Sequence, residues 1–569
     1  MSRVKVLFRS ASMIAVALAV VIATNAVSAQ QVPADRRTPK LLVLLMVDQF
    51  RGDYIEHYHH QWSAGLRRLV TEGAWFRRAE YPYYNTVTCP GHSSVATGAY
   101  PAVHGMILNG WFDRTTRKAT TCTDDPSAQT ISYGKPINTE GESLVHLRIP
   151  TLADSLRLQL SPAARVIAFS LKARAAAPLG GRHPDAIAWF DDAGAWATSS
   201  AFSKGPVPAI ADFVKRNPVE NDLDKVWDRT LPKNQYLYED PAVGITAPRG
   251  GMTVSFPHAL KGKSGAADAG FYDRWQSSPF SDEYLAKMAL DVAGKLDLGK
   301  GGGATNLIGI SFSALDKVGH DFGPNSHENQ DILIRLDRTL GAFFAGLDRL
   351  VGAGEYTVAL TADHGVAPFP ERVRSYGLDA GRLDLKPVIA AVEKAAAGAL
   401  GTTDGSTAIE RIAQTDIYFK PGVYAKLKER PGAVDAIRDA LRSVDGIADV
   451  YTAEELETNR FDDNRWARRL AHSHFRGRSG DLSFTMKPYW MIQERGTTHG
   501  TGYEYDTHVP VLLMGKGIAK GEYLTSVEPT DIAPTLAFLA NVMLPNATGR
   551  VLTEALSQPD AAAKAPSIH

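Results

Sequence analysis

The sequence predicts an α/β protein with a central, mostly parallel sheet, covered by helices on both faces and interrupted by inserted cap regions. Uninterrupted apolar runs at Leu41 to Val47, Ala164 to Leu171, Thr305 to Phe312 and Tyr356 to Thr361 suit strands buried on both faces. Helical stretches such as Ile332 to Leu350 separate them, the alternation expected of parallel strands joined by crossovers.

In chain order, residues 1–29 read as a secretory signal. Arg3, Lys5 and Arg9 precede an apolar run from Met13 to Ala23, and Val27-Ser28-Ala29 offers a small-residue cleavage site. The run is short for a bilayer span, a retained N-terminal anchor being the alternative, and no later stretch is long and apolar enough to cross. A periplasmic or secreted protein is expected, free of the membrane once the signal is removed, and monomeric. Lys plus Arg and Asp plus Glu both total 62, so no global charge recruits nucleic acid.

A single domain is expected over 36–557, with cap insertions at about 180–279 and 372–496, both rich in Gly, Pro and aromatic residues. The second carries its own strand at Asp416 to Phe419 and helix at Ala433 to Val444. Val509 to Met514 is the last buried strand, followed by a helix from Asp531 to Leu539. Only Cys89 and Cys122 are present, which excludes a disulfide framework and a cysteine-rich zinc site. In an oxidising compartment they either pair or stay free, since sequence supplies no distance.

Asn85 to Gly98 contains Thr-Val-Thr-Cys-Pro-Gly-His. Pro90 suits the first turn of a helix, which places Thr88 and Cys89 just before an N-terminus that favours phosphate. Thr88 is thus a candidate nucleophile, although a threonine there more often only caps.

Three aspartates end or follow apolar runs: Asp48, Asp316 and Asp363. Ligands of open α/β sheets bind beyond the carboxyl ends of strands. Asp316 and His320, spaced i, i+4, share one face of a helical turn. Asp363 and His364 can act together only if the chain leaves the strand, and Gly365 permits that turn. His499 adds an imidazole from a glycine-flanked loop. Carboxylate and imidazole without thiolate suit zinc, with Mn²⁺ or Co²⁺ as alternatives, and the donors outnumber one tetrahedral shell, which argues for two ions.

These motifs resemble the alkaline phosphatase superfamily, specifically its threonine-nucleophile, two-zinc alkaline phosphatase branch, close to the nucleotide pyrophosphatase/phosphodiesterases. The resemblance runs from Val47-Asp48 through Thr-Val-Thr-Cys-Pro-Gly-His, Asn109-Gly110, Asp316-x-x-x-His320 and Ala362-Asp363-His364-Gly365 to His499-Gly500. It implies an alkaline-phosphatase-like fold, Asp48, Thr88, Asp363 and His364 on one zinc ion, and Asp316, His320 and His499 on the other. It also implies that Asn109, Lys172 and Arg174 contact the phosphoryl oxygens, whereas by themselves Lys172 and Arg174 read as an exposed pair at a strand end and Asn109 as a turn residue.

The expected function is hydrolysis of small phosphate monoesters through a phosphothreonine. Zinc lowers the pKa of bound water from about 15.7 to about 7, roughly 12 kcal/mol, more than any hydrogen bond from a neighbouring base contributes towards activating Thr88. The alternative is a phosphodiesterase or nucleotide pyrophosphatase using the same metal site. A sulfatase is disfavoured because Cys89-Pro90-Gly91-His92 lacks the Cys-x-Pro-x-Arg pattern, and a metal-binding export protein would have no reason to surround two ions with a hydroxyl and phosphate donors. His57, His59, His60, His472 and His474 read as surface residues, and His92, His104 and His508 as hydrogen-bonding residues of the core.

Overall fold

Seven consecutive apolar residues leave no face for water, so Leu41–Val47 must be covered on both sides, and every one of its residues is buried. In the computed structural model, which describes residues 38–557 apart from 138, 161–162, 192–193, 247, 264, 301–302, 403–405 and 459–462, this strand lies within an eleven-stranded sheet. The signal-like stretch 1–29 falls outside the described residues. In chain order the strands are β1 (Leu41–Val47), β2 (Ala74–Ala79), β3 (Asp124–Ser132), β4 (Glu140–Glu142), β5 (Val166–Ser170), β6 (Ala186–Asp191), β7 (Ala195–Ser199), β8 (Asn306–Phe312), β9 (Tyr356–Thr361), β10 (Val511–Gly515) and β11 (Gly521–Val527). Across the sheet they run β11-β2-β10-β9-β1-β8-β5-β6-β7-β3-β4.

The five central strands, β9, β1, β8, β5 and β6, are mutually parallel. In register, Val47 pairs with Phe312, Met46 with Thr361 and Ser311 with Ser170. The carboxyl ends of four apolar runs therefore stand side by side, and whatever follows each run meets at one edge. Antiparallel pairings join β10 to β9 and to β2, and add β7, β3 and β4 at the other side. The sequence reading missed β2 and β11, whose mixed Ala-Trp-Phe-Arg-Arg-Ala and Gly-Glu-Tyr-Leu-Thr-Ser-Val lack a continuous apolar run.

Five helices matter for the site: α1 (Thr88–Thr97), α2 (Ala173–Gly180), α3 (Pro279–Lys295), α4 (Ala314–Phe322) and α5 (His327–Leu350). Helix α5 begins five residues before the expected Ile332. Its first turn is polar, so periodicity does not reveal it, but Ser326 caps it by accepting from Asn329 N at 3.1 Å.

The first expected cap range opens with β6 and β7, which continue the central sheet, so the part outside the sheet starts after Ser199. The second range builds a separate four-stranded sheet from 409–413, 416–419, 482–486 and 447–452 around its own apolar cluster, including Val388, Ile417, Leu441 and Phe484. Its strand Asp416–Phe419 coincides with expectation, and its helix runs Ala433–Arg442. The chain enters and leaves this lobe through a short parallel pairing of Gly381–Arg382 with Trp490–Met491. No helix among the described residues is long and apolar enough to cross a membrane.

Candidate active site

Asp48 leaves β1 with its N–H donating to Phe312 O at 2.9 Å, which holds it at the shared edge. Beside it, α4 carries Asp316 and His320 on one face, with His320 Nε2 3.1 Å from Asp316 Oδ1. Strand β9 ends at Thr361, so Asp363 and His364 are free to turn to one side. His364 Nε2 lies 3.2 Å from Asp363 Oδ2 and 3.4 Å from Asp48 Oδ1. Gly365 makes this possible differently from expectation. It does not need positive φ, but a side chain there would strike the Tyr505 carbonyl.

The histidines are oriented by backbone. Nδ1 of His320 meets Thr497 O at 2.7 Å, Nδ1 of His364 meets Gly365 O at 3.0 Å, and Nδ1 of His499 meets Thr86 O at 2.8 Å. A carbonyl only accepts, so each Nδ1 carries a proton, and in the neutral ring Nε2 keeps the lone pair that a metal ligand needs. The rings of His364 and His499 stack with centroids 3.4 Å apart. Donor atoms of Asp316, His320 and His499 lie within 4.8 Å of one another, as do those of Asp48, Asp316 and His364. Asp48 Oδ1, Asp363 Oδ2 and His364 Nε2 are buried without hydrogen-bond partners, and this donor set fits divalent ions. Asp316 thus faces both groups, while Asp363 turns one oxygen toward His364 and His92.

Burial pushes the Asp48 carboxyl up to about 7, helped by Asp316 and Asp363. Burial favours neutral His364, yet Asp363, Asp48 and Asp316 outweigh it and raise the imidazole to about 9. Concentrated negative charge is therefore the dominant electrostatic feature. Lys172 answers it, with Nζ 2.5 Å from Asp48 Oδ2 and 2.6 Å from Asp316 Oδ2. Strand β5 stops at Ser170, so Lys172 is the residue before α2 and Arg174 lies in its first turn, not together on a strand face. Lys172 is nearly buried, and Arg174 Nε is buried without a hydrogen-bond partner.

Helix α1 begins at Thr88, two residues earlier than its proline suggested. Pro90 still falls where N–H groups lack helical partners. Its N-cap position is Val87 with no side-chain cap, so Thr88 is not the capping residue. Thr88 is buried, and its turn is pressed against the acids. A side chain at Gly91 would strike the backbone and Cβ of Asp363, and His92 Nδ1 lies 2.9 Å from Thr88 O and 3.3 Å from Asp363 Oδ2. Cys89 and Cys122 form a disulfide. The Cys89 N–H donates to Asn109 Oδ1 at 2.8 Å and the Cys122 N–H to Asn109 O at 3.0 Å, so Asn109 is fixed to the turn that bears Thr88.

His92 joins the core as expected, but at the site itself. His104 also forms a core hydrogen bond, whereas His508 is only half-buried and meets the Arg77 carbonyl; His57 and His60 are exposed, and His474 is buried, contrary to its reading as a surface residue. Sequence reasoning missed Gln49, which contacts two of the acids. The available signal was its place directly after Asp48.

Parallel strands ending in carboxylates and oriented imidazoles beside a threonine-bearing helix N-terminus define a member of the alkaline phosphatase superfamily. Within it, the chain belongs to the type I phosphodiesterase / nucleotide pyrophosphatase family, which it matches over residues 42–509. It is 31% identical to alkaline phosphatase PafA of Elizabethkingia meningoseptica across 95% of this chain and 98% of that protein. It is 30% identical to alkaline phosphatase PhoV of Synechococcus elongatus across 91% and 93%. The PafA crystal structure superposes with a TM-score of 0.83 over 91% of this chain and 99% of that one, at 30% identity. A second PafA crystal structure carries serine in place of a threonine and alanine in place of an asparagine, a lysine and an arginine, the last two separated by one residue.

Proposed function

We propose that the protein is an exported alkaline phosphatase that hydrolyses small phosphate monoesters to inorganic phosphate through a phosphothreonine at Thr88, with two zinc ions. The observation that carries this reading is the trio of imidazoles whose Nδ1–H groups are tied to carbonyls while their Nε2 atoms face buried carboxylates. Asp48, Thr88, Asp363 and His364 would hold one ion, and Asp316, His320 and His499 the other. Bound zinc supplies positive charge that favours an ionised hydroxyl and a departing oxyanion. The other tasks fall to the chain.

Thr88 opens a helix, where free amides and the helix dipole favour a phosphoryl anion. Asn109 accepts through Oδ1 from Cys89, which leaves its amide hydrogens to donate to a phosphoryl oxygen. Lys172 and Arg174 add two positive charges, matched to a dianion. Thr88, Asn109, Lys172 and Arg174 are the residue types altered in the PafA variant, in the same order and with the same separation of lysine from arginine. The signal-like sequence at 1–29 and the disulfide, a bond that persists in oxidising compartments, support export.

The second reading, a phosphodiesterase or nucleotide pyrophosphatase, is favoured by the family's description. Charge separates the two, because a diester has one negative charge and two non-bridging oxygens. The test is kcat/KM for an aryl phosphate and its bis-aryl diester in wild type, Lys172→Ala and Arg174→Ala, together with metal analysis. Each variant should lose roughly ten- to a hundredfold on the monoester, the worth of one charge-assisted hydrogen bond, and much less on the diester. Equal losses, or a wild type preferring the diester, would establish the second reading. Chelation should remove activity that zinc restores, and one metal equivalent in a fully active sample would rule out the two-ion scheme.

A further inference from the structure

Gln49 follows Asp48 and is wholly buried, with φ of 70°. That left-handed conformation suits glycine and strains other residues. Its backbone N–H donates to Asp363 Oδ1 at 3.1 Å, and its side-chain Nε2 donates to Asp316 Oδ1 at 2.8 Å. One residue thus holds an acid from each of the two ligand sets. A carboxamide suits this place because it donates without adding charge to a crowd of carboxylates.

A second locally unfavourable choice points to the same contact. Gly319 lies inside α4, between Asp316 and His320, where glycine weakens a helix. The three atoms nearest to a Cβ built at 319 all belong to Gln49: its Oε1, which the Cβ would strike, Cδ at 2.9 Å and Nε2 at 3.6 Å. The glycine therefore makes room for the glutamine amide. A glutamine in a glycine-like conformation and a glycine in a helix are each unexplained alone and are explained together.

We propose that Gln49 is a positioning residue that sets Asp316 through its side chain and Asp363 through its backbone, with Gly319 as its required counterpart. The assignment rests on the two-ion reading above. Its sharpest consequence is asymmetry. Gln49→Gly keeps the N–H that holds Asp363 and relieves the backbone, but removes the bond to Asp316, so with Asp316 assigned to the ion of His320 and His499 that ion should loosen first.

The experiment is metal content after dialysis of purified wild type and variants against graded chelator. Wild type should hold two equivalents. Gln49→Gly should lose one of them at roughly ten- to a hundredfold lower chelator, the usual effect of removing a partner of a metal ligand, and excess zinc should restore its kcat. Gly319→Ala should behave alike by displacing the amide, while the double variant should be no worse than Gln49→Gly alone, because the three atoms nearest to the added methyl are then gone. Melting temperatures of the metal-stripped proteins should agree for wild type and Gln49→Gly. A wild type with two equivalents beside a Gln49→Gly that keeps both equally well, or sheds both together, overturns the assignment alone. A fully active wild type with fewer than two equivalents overturns the two-ion reading and the assignment with it.

Discussion

Asn109 receives the N–H of Cys89 on its side-chain oxygen at 2.8 Å, and this bond decides which end of the amide remains free. The free end is the donor end. Asn109→Ala should lower monoester kcat/KM by about ten- to a hundredfold. Asn109→Asp should do worse than alanine, since it replaces a donor with a negative charge facing a dianion. Aspartate retaining more activity than alanine would contradict the orientation.

The disulfide closes a chain separation of 33 residues and ends at the residue after Thr88. Loop-closure entropy for that length corresponds to about 3 to 4 kcal/mol. Both sulfurs are buried, so substitution is a cleaner probe than reductant. The Cys89→Ala/Cys122→Ala variant should unfold at clearly lower denaturant and lose monoesterase activity beyond what unfolding explains, because Asn109 is then held by hydrogen bonds alone. Unchanged kcat in the folded variant would assign the bridge to stability only.

Thr88→Ala should fold and lose nearly all turnover, whereas Thr88→Ser should keep substantial activity because the attacking oxygen survives. An alanine variant within about tenfold of wild type, a loss of only about 1.4 kcal/mol, would remove Thr88 from the chemistry.

Acid should unfold the protein partly through His104. Its Nδ1 accepts from Met106 N at 3.1 Å, so Nε2–H donates to Ser94 Oγ at 3.0 Å. Burial, with Arg478 nearby, lowers the imidazole to about 3 from the usual 6.5. The unfolded chain therefore takes up a proton below pH 6.5 that the native state refuses. Stability from this site is complete above 6.5 and falls by about 1.4 kcal/mol per pH unit down to about 3. Denaturant unfolding at pH 8, 6, 5 and 4 should show His104→Gln with the shallower acid slope. Parallel slopes would exclude the site.

The apolar runs made β1, β5, β8 and β9 legible, and with them the edge where Asp48, Asp316, Asp363 and His364 meet, because continuous hydrophobicity reports burial on both faces. Strands β2 and β11 were not legible, since Arg77 and Arg78 interrupt one and Glu522 the other. The proline at 90 marked a helix start but not its first residue, because a first turn tolerates proline at more than one position. The reach of Gln49 to two acids was beyond sequence, for it depends on a turn geometry and on a glycine 270 positions away.

The pairing of Gly381–Arg382 with Trp490–Met491 makes the lobe between them a detour that returns to its starting point. Arg382 locks the return by donating to Gln493 O at 2.8 Å and Gly496 O at 2.9 Å, only three residues before His499. Closing a loop grows costlier only logarithmically, about 0.6 kcal/mol for each doubling of its length. A change of length within the lobe, away from its contacts with the main body, would therefore cost little in closure and leave the neck that carries the chain back to His499 unchanged.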